Sequence, residues 1–377
     1  MNRLHVKKKI ALISTTSTTI KAFMLNHVKK LSDHYNLLIL CKDAHLLKKL
    51  LPNNVLLIDV NFKRKPNIIS DIIIFFLLLY YFLKYKPNMT ISISPKAGFI
   101  TSLSSYFARV SYRIHWYTGQ VWITKKGIIR FILKIFDKLI FNLSNHVLVD
   151  SFSQKKFLIK KKIISKKKSS VIFNGSVGGV NIKRFKYNNH TRKILRKKLK
   201  IFKNDFVFLY LGRINKDKGI IDLLSAFKKI ENLFKVFLVL VGPVENNRIK
   251  KLIISNKKIL HFEYTQFPEN WYSFGDILCL PSYREGFGSV IIEAASCNLP
   301  SLGSKIYGIT DAILDNQTGI LHKVGNVRDI RSKMLFAIRN KKLLKSYGKY
   351  AKQRVKVNFD ENLISKEFVK FIKSRNI

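Results

Sequence analysis

Short apolar runs alternate with helix-patterned stretches along this chain, and the alternation occurs twice. In the first block the runs fall at 9–14 (KIALIS), 37–41 (LLILC), 55–60, 89–93, 112–116, 146–150 and 170–173. Helical patterning occupies 20–31, 68–84, 98–109 and 127–143 between them. The second block has runs at 206–211 (FVFLYL), 236–241 (VFLVLV), 259–263, 277–280, 299–302 and 319–322, with helices at 219–231 and from about 290. Such a rhythm predicts a doubly wound parallel sheet with helices on both faces. Between the blocks, Asn174 to Arg192 has glycines, asparagines and few apolar residues, and reads as a linker. The fold expected is α/β, two Rossmann-like domains facing across a cleft, with ligand sites near the C-terminal ends of both sheets. Residues 1–186 would form the first domain and 187–356 the second. A C-terminal helix over 357–377 would return to the first. A length of 377 residues suits two domains.

Charge is the anomalous part of the composition. Seventy Lys+Arg against 22 Asp+Glu leave +48. Residues 1–190 hold six aspartates and no glutamate, and the first glutamate is Glu231, so chemistry that needs a glutamate draws it from the second block. The basic residues are spread over nearly every segment, and no nucleic-acid module interrupts them. Two other readings stay open: lysine enrichment that is merely compositional, and attraction to an anionic membrane surface.

Two segments bear on that choice. Ile72 to Leu83 (IIIFFLLLYYFL) is flanked by Lys63, Arg64 and Lys65 before it and by Lys84 and Lys86 after it. Twelve residues give about 18 Å of helix, too short for a hydrocarbon core of about 30 Å. It is expected to be a buried core helix or an interfacial one. Gly127–Phe141 carries Arg130, Lys134 and Lys138 at i, i+4 and i+8 among apolar residues, the pattern of a membrane-surface helix. The basic start MNRLHVKKKIALIST has too short an apolar run for a signal peptide. Cys41, Cys279 and Cys297 lack CxxC spacing and sit in apolar or small-residue surroundings, which predicts buried thiols in a reducing compartment.

Chemistry concentrates in the second block. After FVFLYL come Gly212, then Arg213 and Lys218 in RINKDKG, before a helix. Two cations on a strand-to-helix loop can grip a diphosphate, although an isolated pair in so basic a chain also reads as a solvated loop. The segment PSYREGFGSVIIEAASCNLP (281–300) places Glu285 in a loop and Glu293 on the first turns of a helix. Gly286 and Gly288 let backbone approach a ligand closely, and the helix starting at Ser289 points its first N–H groups at any phosphate there. The glutamate spacing suits contacts to two parts of one ligand.

Taken together, LGRINKDKGIIDLLSAF, LPSYREGFGSVIIEAASCNLPSLGS and GITDAILDNQTGIL resemble the nucleotide-sugar domain of glycosyltransferase family 4, a retaining family with the GT-B fold. Glu285 and Glu293 match its E-x7-E motif. SPKAGFITSL (94–103), RIHWYTGQVW (113–122) and VIFNGSVGGVNIKRF (171–185) fit the first domain, so the resemblance covers almost the whole chain. It looks most like the bacterial enzymes that build cell-surface polysaccharide on lipid carriers.

The resemblance implies roles. Arg213 and Lys218 would hold the diphosphate and stabilise the departing nucleotide. Glu285 would bind hydroxyls of the donor sugar, Glu293 those of the ribose. Backbone around Gly286, Phe287, Gly288, Ser289 and Val290 would contact sugar and phosphates, and Gly212, Gly242, Tyr264 and Thr265 would border the nucleotide. Lys96, Thr118 and Gly119 would lie on the acceptor side. Many members carry a first-domain histidine in a T-x-H-G pattern. Here Thr118 precedes Gly119, and the nearest histidine is His115, which is either catalytic or a core residue.

No D-x-D triplet and no His/Cys cluster with metal-ligand spacing occurs, so no metal and no cofactor are expected. An inverting enzyme would need a base on the opposite face, and the first block offers only Asp33, Asp43, Asp59, Asp71, Asp137 and Asp150. Asp150 is the one placed near the cleft, and it reads equally as a helix cap. The expectation is a retaining, metal-independent transferase. It would use a UDP-sugar and extend a saccharide on a polyprenyl diphosphate, from a peripheral position on the cytoplasmic face of the membrane, in O-antigen, capsule or similar synthesis. The competitors are another GT-B enzyme, such as a nucleotide-sugar epimerase, and a non-enzymatic basic protein that binds nucleic acid.

Overall fold

A computed structural model describes residues 7–63 and 67–375. Met1–Val6, Arg64 and Lys65, on which parts of the sequence reading fell, lie outside the described residues. The chain divides into two compact units, one up to Gly179 plus Glu361 onward, the other Val180–Asp360. The boundaries are thus 179/180 and 360/361, not 186/187 and 356/357. The first still falls inside the Gly/Asn-rich stretch 174–192, and Val180 bridges to Asp360 within the second unit.

The first unit holds seven parallel strands: β1 (Lys9–Thr16), β2 (Asn36–Lys42), β3 (Val55–Asp59), β4 (Met89–Ile93), β5 (Tyr112–Tyr117), β6 (His146–Val149) and β7 (Ser169–Ser170). Their order is β3-β2-β1-β4-β5-β6-β7. Five of the strands are buried nearly throughout, as the continuous apolar runs require. The last strand is shorter than the 170–173 run, because the end of that run is drawn into a turn that Gly175 N–H closes on the Ile172 carbonyl.

Four helices of this unit matter for function: α1 (Leu25–Ser32), α2 (Ile68–Tyr85), α3 (Pro95–Phe107) and α4 (Gly127–Leu143). Helix α2 begins at the cap Asn67, whose side chain accepts the Ser70 N–H at 2.9 Å. It runs 18 residues with a mean hydropathy of 1.9, so it is longer than its twelve-residue apolar centre and passes the length and composition test for a membrane span. Only Ile74, Leu78 and Phe82, at i, i+4 and i+8, are buried, packed with Ala11, Leu38, Val60 and Ile100. Ile68, Ile69, Ile72, Ile73, Phe76, Tyr80 and Leu83 are exposed. Helix α2 is therefore neither a fully buried core helix nor free of the core. Helix α3 starts three residues earlier than its pattern, with Pro95 in the first turn where its missing N–H costs nothing. It packs between α2 and α4. The C-terminal helix Glu361–Lys373 packs on α1, with His27 against Phe368 at 4.7 Å between ring centres.

The second unit holds β8 (Phe206–Leu211), β9 (Val236–Val241), β10 (Ile259–Phe262), β11 (Ile277–Leu280), β12 (Ser301–Ser304) and β13 (Gly319–His322), all parallel, in the order β10-β9-β8-β11-β12-β13. Each sheet runs outward to one edge and restarts on the other side of its first strand. That is the Rossmann strand order, and its topological switch points lie between β1 and β4 and between β8 and β11. Four of the six second-unit strands match their apolar runs residue for residue. Strand β12 starts two residues late because Pro300 cannot donate to the ladder.

Candidate active site

The switch point of the second sheet is where the motif residues converge. The loop after β8 carries Gly212, Arg213 and Lys218; the loop after β11 carries Pro281 to Gly288 and opens into the helix α5 (Ser289–Ser296). Since β8 and β11 are hydrogen-bonded neighbours, two segments more than sixty residues apart meet at their C-terminal ends. Gly219 makes the approach possible. It has φ of +68°, and a Cβ there would stand 2.0 Å from the Pro281 carbonyl oxygen. Tyr283 N–H donates to the Asp217 carbonyl at 2.9 Å, and Arg284 Nε to the Asp217 carboxylate at 3.0 Å, stitching the loops together.

Across this junction the Lys218 ammonium pairs with Glu285 Oε1, which also accepts from Ser282 Oγ at 2.8 Å. Both partners are mostly buried, at 21% and 14% side-chain exposure, so the pair is shielded yet reachable. Arg213 is more open. Its guanidinium reaches Glu245 Oε1 at 3.3 Å, and Asn215 donates to the other Glu245 oxygen at 2.7 Å. Arg213 and Lys218 thus each face one carboxylate, the arrangement of cations held in place for an incoming anion. Backbone at Gly212 and Gly242 comes together where β8 and β9 end. Gly288 caps α5 with φ of +85°, and Ser289 and Val290 form its first turn. Phe287 is buried against Phe359, ring centres 5.1 Å apart, so it braces this loop and only its backbone is available to a ligand.

Glu293 sits on α5, half-buried, and accepts a hydrogen bond from Tyr272 Oη at 2.7 Å. Burial pushes its carboxyl up to about 7 while the Tyr272 bond pulls the other way. The same burial and the adjacent glutamate hold the Tyr272 hydroxyl well above its ordinary value. Tyr264 is 75% exposed on the loop after β10, at the edge of the sheet. Thr265 there accepts the Phe267 N–H at 3.0 Å. The structure therefore gathers Gly212, Lys218, Glu285, Gly286 to Val290 and Arg213 at one place, and leaves Tyr264 and Thr265 two strands away.

Sequence reasoning missed Ser282, Glu245 and Tyr272, the partners that hold Glu285, Arg213 and Glu293. Ser282 lay inside the quoted motif. Glu245 and Tyr272 had no local signal, because they approach only once the sheet is assembled.

In the first unit, Lys96 follows β4 and pairs with Asp71 of α2 at 2.6 Å, while also donating to the Lys63 carbonyl at 2.8 Å. Thr118 and Gly119 follow β5, with Gly119 at φ of +111°. His115 requires correction as a catalytic candidate. It is 1% exposed within β5, and a Cβ at Gly98 would stand 2.2 Å from its Cε1. Its Nδ1 lies 2.9 Å from Ser92 Oγ, and burial lowers its pKa to about 3, so it is a neutral core histidine. Asp150 is buried before the cap Ser151, whose side chain accepts the Gln154 N–H. All three cysteines are buried, and burial pushes the Cys41 and Cys297 thiols up to about 12. Among the described residues, no three His, Cys, Asp or Glu side chains are grouped as a metal would need.

Two parallel-sheet Rossmann-like units in one chain, with paired cations and a glutamate at the switch point of the second, are the architecture of the GT-B fold. Residues 191–354 match the family described as glycosyl transferases group 1, so this segment is a glycosyltransferase group 1 domain. The chain is 28% identical over 311 residues to the capsular polysaccharide biosynthesis glycosyltransferase CapM of Staphylococcus aureus, covering 81% of each protein. It is 24% identical over 310 residues to the N,N'-diacetylbacillosaminyl-diphospho-undecaprenol alpha-1,3-N-acetylgalactosaminyltransferase of Campylobacter jejuni, covering 77% of this chain and 79% of that one. Among solved structures, Anabaena HepE in complex with UDP and glucose shares the fold with a TM-score of 0.81 at 16% identity, over 97% of this chain and 100% of that one.

Proposed function

We propose that this protein is a retaining glycosyltransferase of family 4. It moves a sugar from a UDP-sugar to a saccharide carried on a polyprenyl diphosphate, during synthesis of a cell-surface polysaccharide. One observation carries the reading: Lys218 and Glu285, from loops after adjacent strands, are paired at the topological switch point. A donor that places its diphosphate on Lys218 and Arg213 frees Glu285 to accept hydrogen bonds from the sugar hydroxyls. Glu293 takes the ribose. The first-turn N–H groups of α5 add positive field at the phosphates. With two cations and a helix end there, the charge developing on the leaving nucleotide is met without a metal or cofactor. The leaving phosphate then takes the acceptor proton on the same face of the sugar, which retains the anomeric configuration.

The relatives support the finer reading. HepE is described with UDP and glucose, the Campylobacter relative is named for an undecaprenol-linked acceptor and an alpha linkage, and CapM for capsule. A lipid-linked acceptor fits the first unit as well. Helix α2 exposes seven large apolar residues, and α4 exposes Ile128, Ile129, Phe131, Ile132, Ile135, Phe136 and Leu139 beside Arg130, Lys134 and Lys138. Apolar residues rimmed by cations, in a chain of +48, fit the cytoplasmic face of an anionic membrane, where the protein binds peripherally.

Thermal unfolding against a panel of nucleotide sugars, followed by turnover of whichever UDP-sugar protects, tests the reading. Protection by a UDP-sugar and turnover that survives EDTA support it. Protection by none, with salt-sensitive binding to arbitrary DNA instead, would overturn it.

A further inference from the structure

Helix α4 has two faces. One carries the exposed apolar residues assigned above to the membrane. The other holds Asp137, the helix's one acidic residue, 6% exposed among three cations and a run of isoleucines and phenylalanines. A buried acid in a helix built to meet a bilayer is costly unless its partners give it a purpose. Those partners all belong to the segment just ahead of the helix. Trp122 Nε1 donates to Asp137 Oδ2 at 2.8 Å, and Tyr117 Oη donates to the Asp137 main-chain carbonyl at 2.5 Å. Trp122 and Tyr117 are 1% and 3% exposed. The Arg130 guanidinium and the Lys134 ammonium lie 5.8 and 5.3 Å from the centre of the Trp122 ring.

Tyr117 and Trp122 bracket Thr118 and Gly119, the residues assigned to the acceptor. The acceptor loop is therefore tied at both ends to one turn of the membrane-facing helix, and to its buried face. Trp122 also stacks on Phe157, ring centres 5.6 Å apart. Gln154 also donates to Gln120 Oε1 at 3.1 Å, so the loop is held from two helices.

We infer that Asp137 is a positioning residue that couples membrane contact of helix α4 to the placement of the acceptor loop 118–124. The inference rests on the membrane reading above and goes beyond it, since a helix can dock on a bilayer without ordering any loop.

Hydrogen exchange of the full chain, with and without vesicles of equal phosphatidylglycerol and phosphatidylethanolamine, tests the coupling. Amides of 118–126 in the natural protein should exchange about fivefold more slowly on vesicles, the protection of one net hydrogen bond. Trp122→Phe keeps the ring and the apolar helix face but loses the N–H donor, so it should bind vesicles unchanged and lose that slowing. Asp137→Asn retains an acceptor oxygen and should keep it, whereas Asp137→Leu should not; the asparagine variant guards against misfolding of the others. Slowing that persists in Trp122→Phe and Asp137→Leu, or vesicle binding by the natural protein with no change at 118–126, overturns the coupling and leaves the membrane reading standing. Failure of the natural protein to bind vesicles at low salt overturns both.

Discussion

Removing the Lys218 ammonium is the perturbation with the most to say about the donor site. In the structure it has one carboxylate partner, Glu285, which keeps Ser282 as a second donor. Loss of the pair alone is a modest stability effect of about 1 kcal/mol or less, because the groups are still partly exposed and Ser282 stays. The effect on transfer is larger. A charge-assisted contact to the donor diphosphate is worth about 1.5–3 kcal/mol, which corresponds to about a 10- to 150-fold fall in kcat/KM for Lys218→Ala. Arg213→Ala should fall at least about tenfold on the same grounds, since the proposed donor pose puts it on the same diphosphate. Glu285→Ala frees Lys218 from its pair, so the Lys218/Glu285 double variant should show less than the summed loss, as contacting residues do. Steady-state kinetics on the folded variants, with the UDP-sugar as the varied substrate, reads this directly. Unchanged kcat/KM in both Lys218→Ala and Arg213→Ala would refute the assignment of this loop. Full additivity between Lys218 and Glu285 would refute their pairing.

Three further outcomes follow from the structure. Gly219→Ala, at φ of +68° with the Pro281 carbonyl in the way, should lower stability by about 2 kcal/mol or more and cost activity with it; urea unfolding checks the first and turnover the second. Asp137, whose carboxyl burial pushes up from 3.8 to about 7, binds its proton more tightly folded than unfolded, so the stability it contributes is full below about 4 and is lost as pH rises through about 7. Asp137→Asn cannot ionise and should gain on the natural protein as pH rises, by about 3 kcal/mol at the upper limit between pH 5 and pH 8, read from urea unfolding at those two values. Anionic vesicles should sediment the protein at low salt and release it as salt rises; binding that ignores salt would make the +48 charge irrelevant to the membrane.

Much of this was legible in the chain, and what was not has identifiable causes. Runs such as FVFLYL and VFLVLV are apolar on every residue because their sheet is covered on both faces, and the structure follows them to the residue. The Gly-rich turn before Ser289 and the cations after Gly212 marked two strand-to-helix loops, and the structure brings the two together. Helix α2 was ambiguous for a physical reason. A stripe at i, i+4 and i+8 buried in the core and a surrounding face that meets solvent are both made of the same isoleucines, leucines and phenylalanines. The same limit applies to His115, since a histidine on an apolar strand looks alike whether it faces a cleft or a neighbouring glycine. Partners that arrive from distant segments, such as Glu245 for Arg213 and Tyr272 for Glu293, leave no mark in local spacing. Asp137 shows in the sequence only as an aspartate inside a basic helix, because nothing in its neighbours reveals the indole that meets it.

The stereochemical outcome bears most directly on the roles given to Glu285, Glu293, Arg213 and Lys218. Both glutamates belong to the second unit, while in the first unit Asp71 pairs with Lys96 and Asp137 is held by Trp122. Transfer from an α-linked UDP-sugar should therefore give an α-linked product, seen by NMR as the small anomeric proton coupling of an axial linkage in a gluco- or galacto-configured sugar, with EDTA present throughout. A large coupling, that of a β-linked product, would contradict front-face transfer and with it the placing of the leaving phosphate as the acceptor's base.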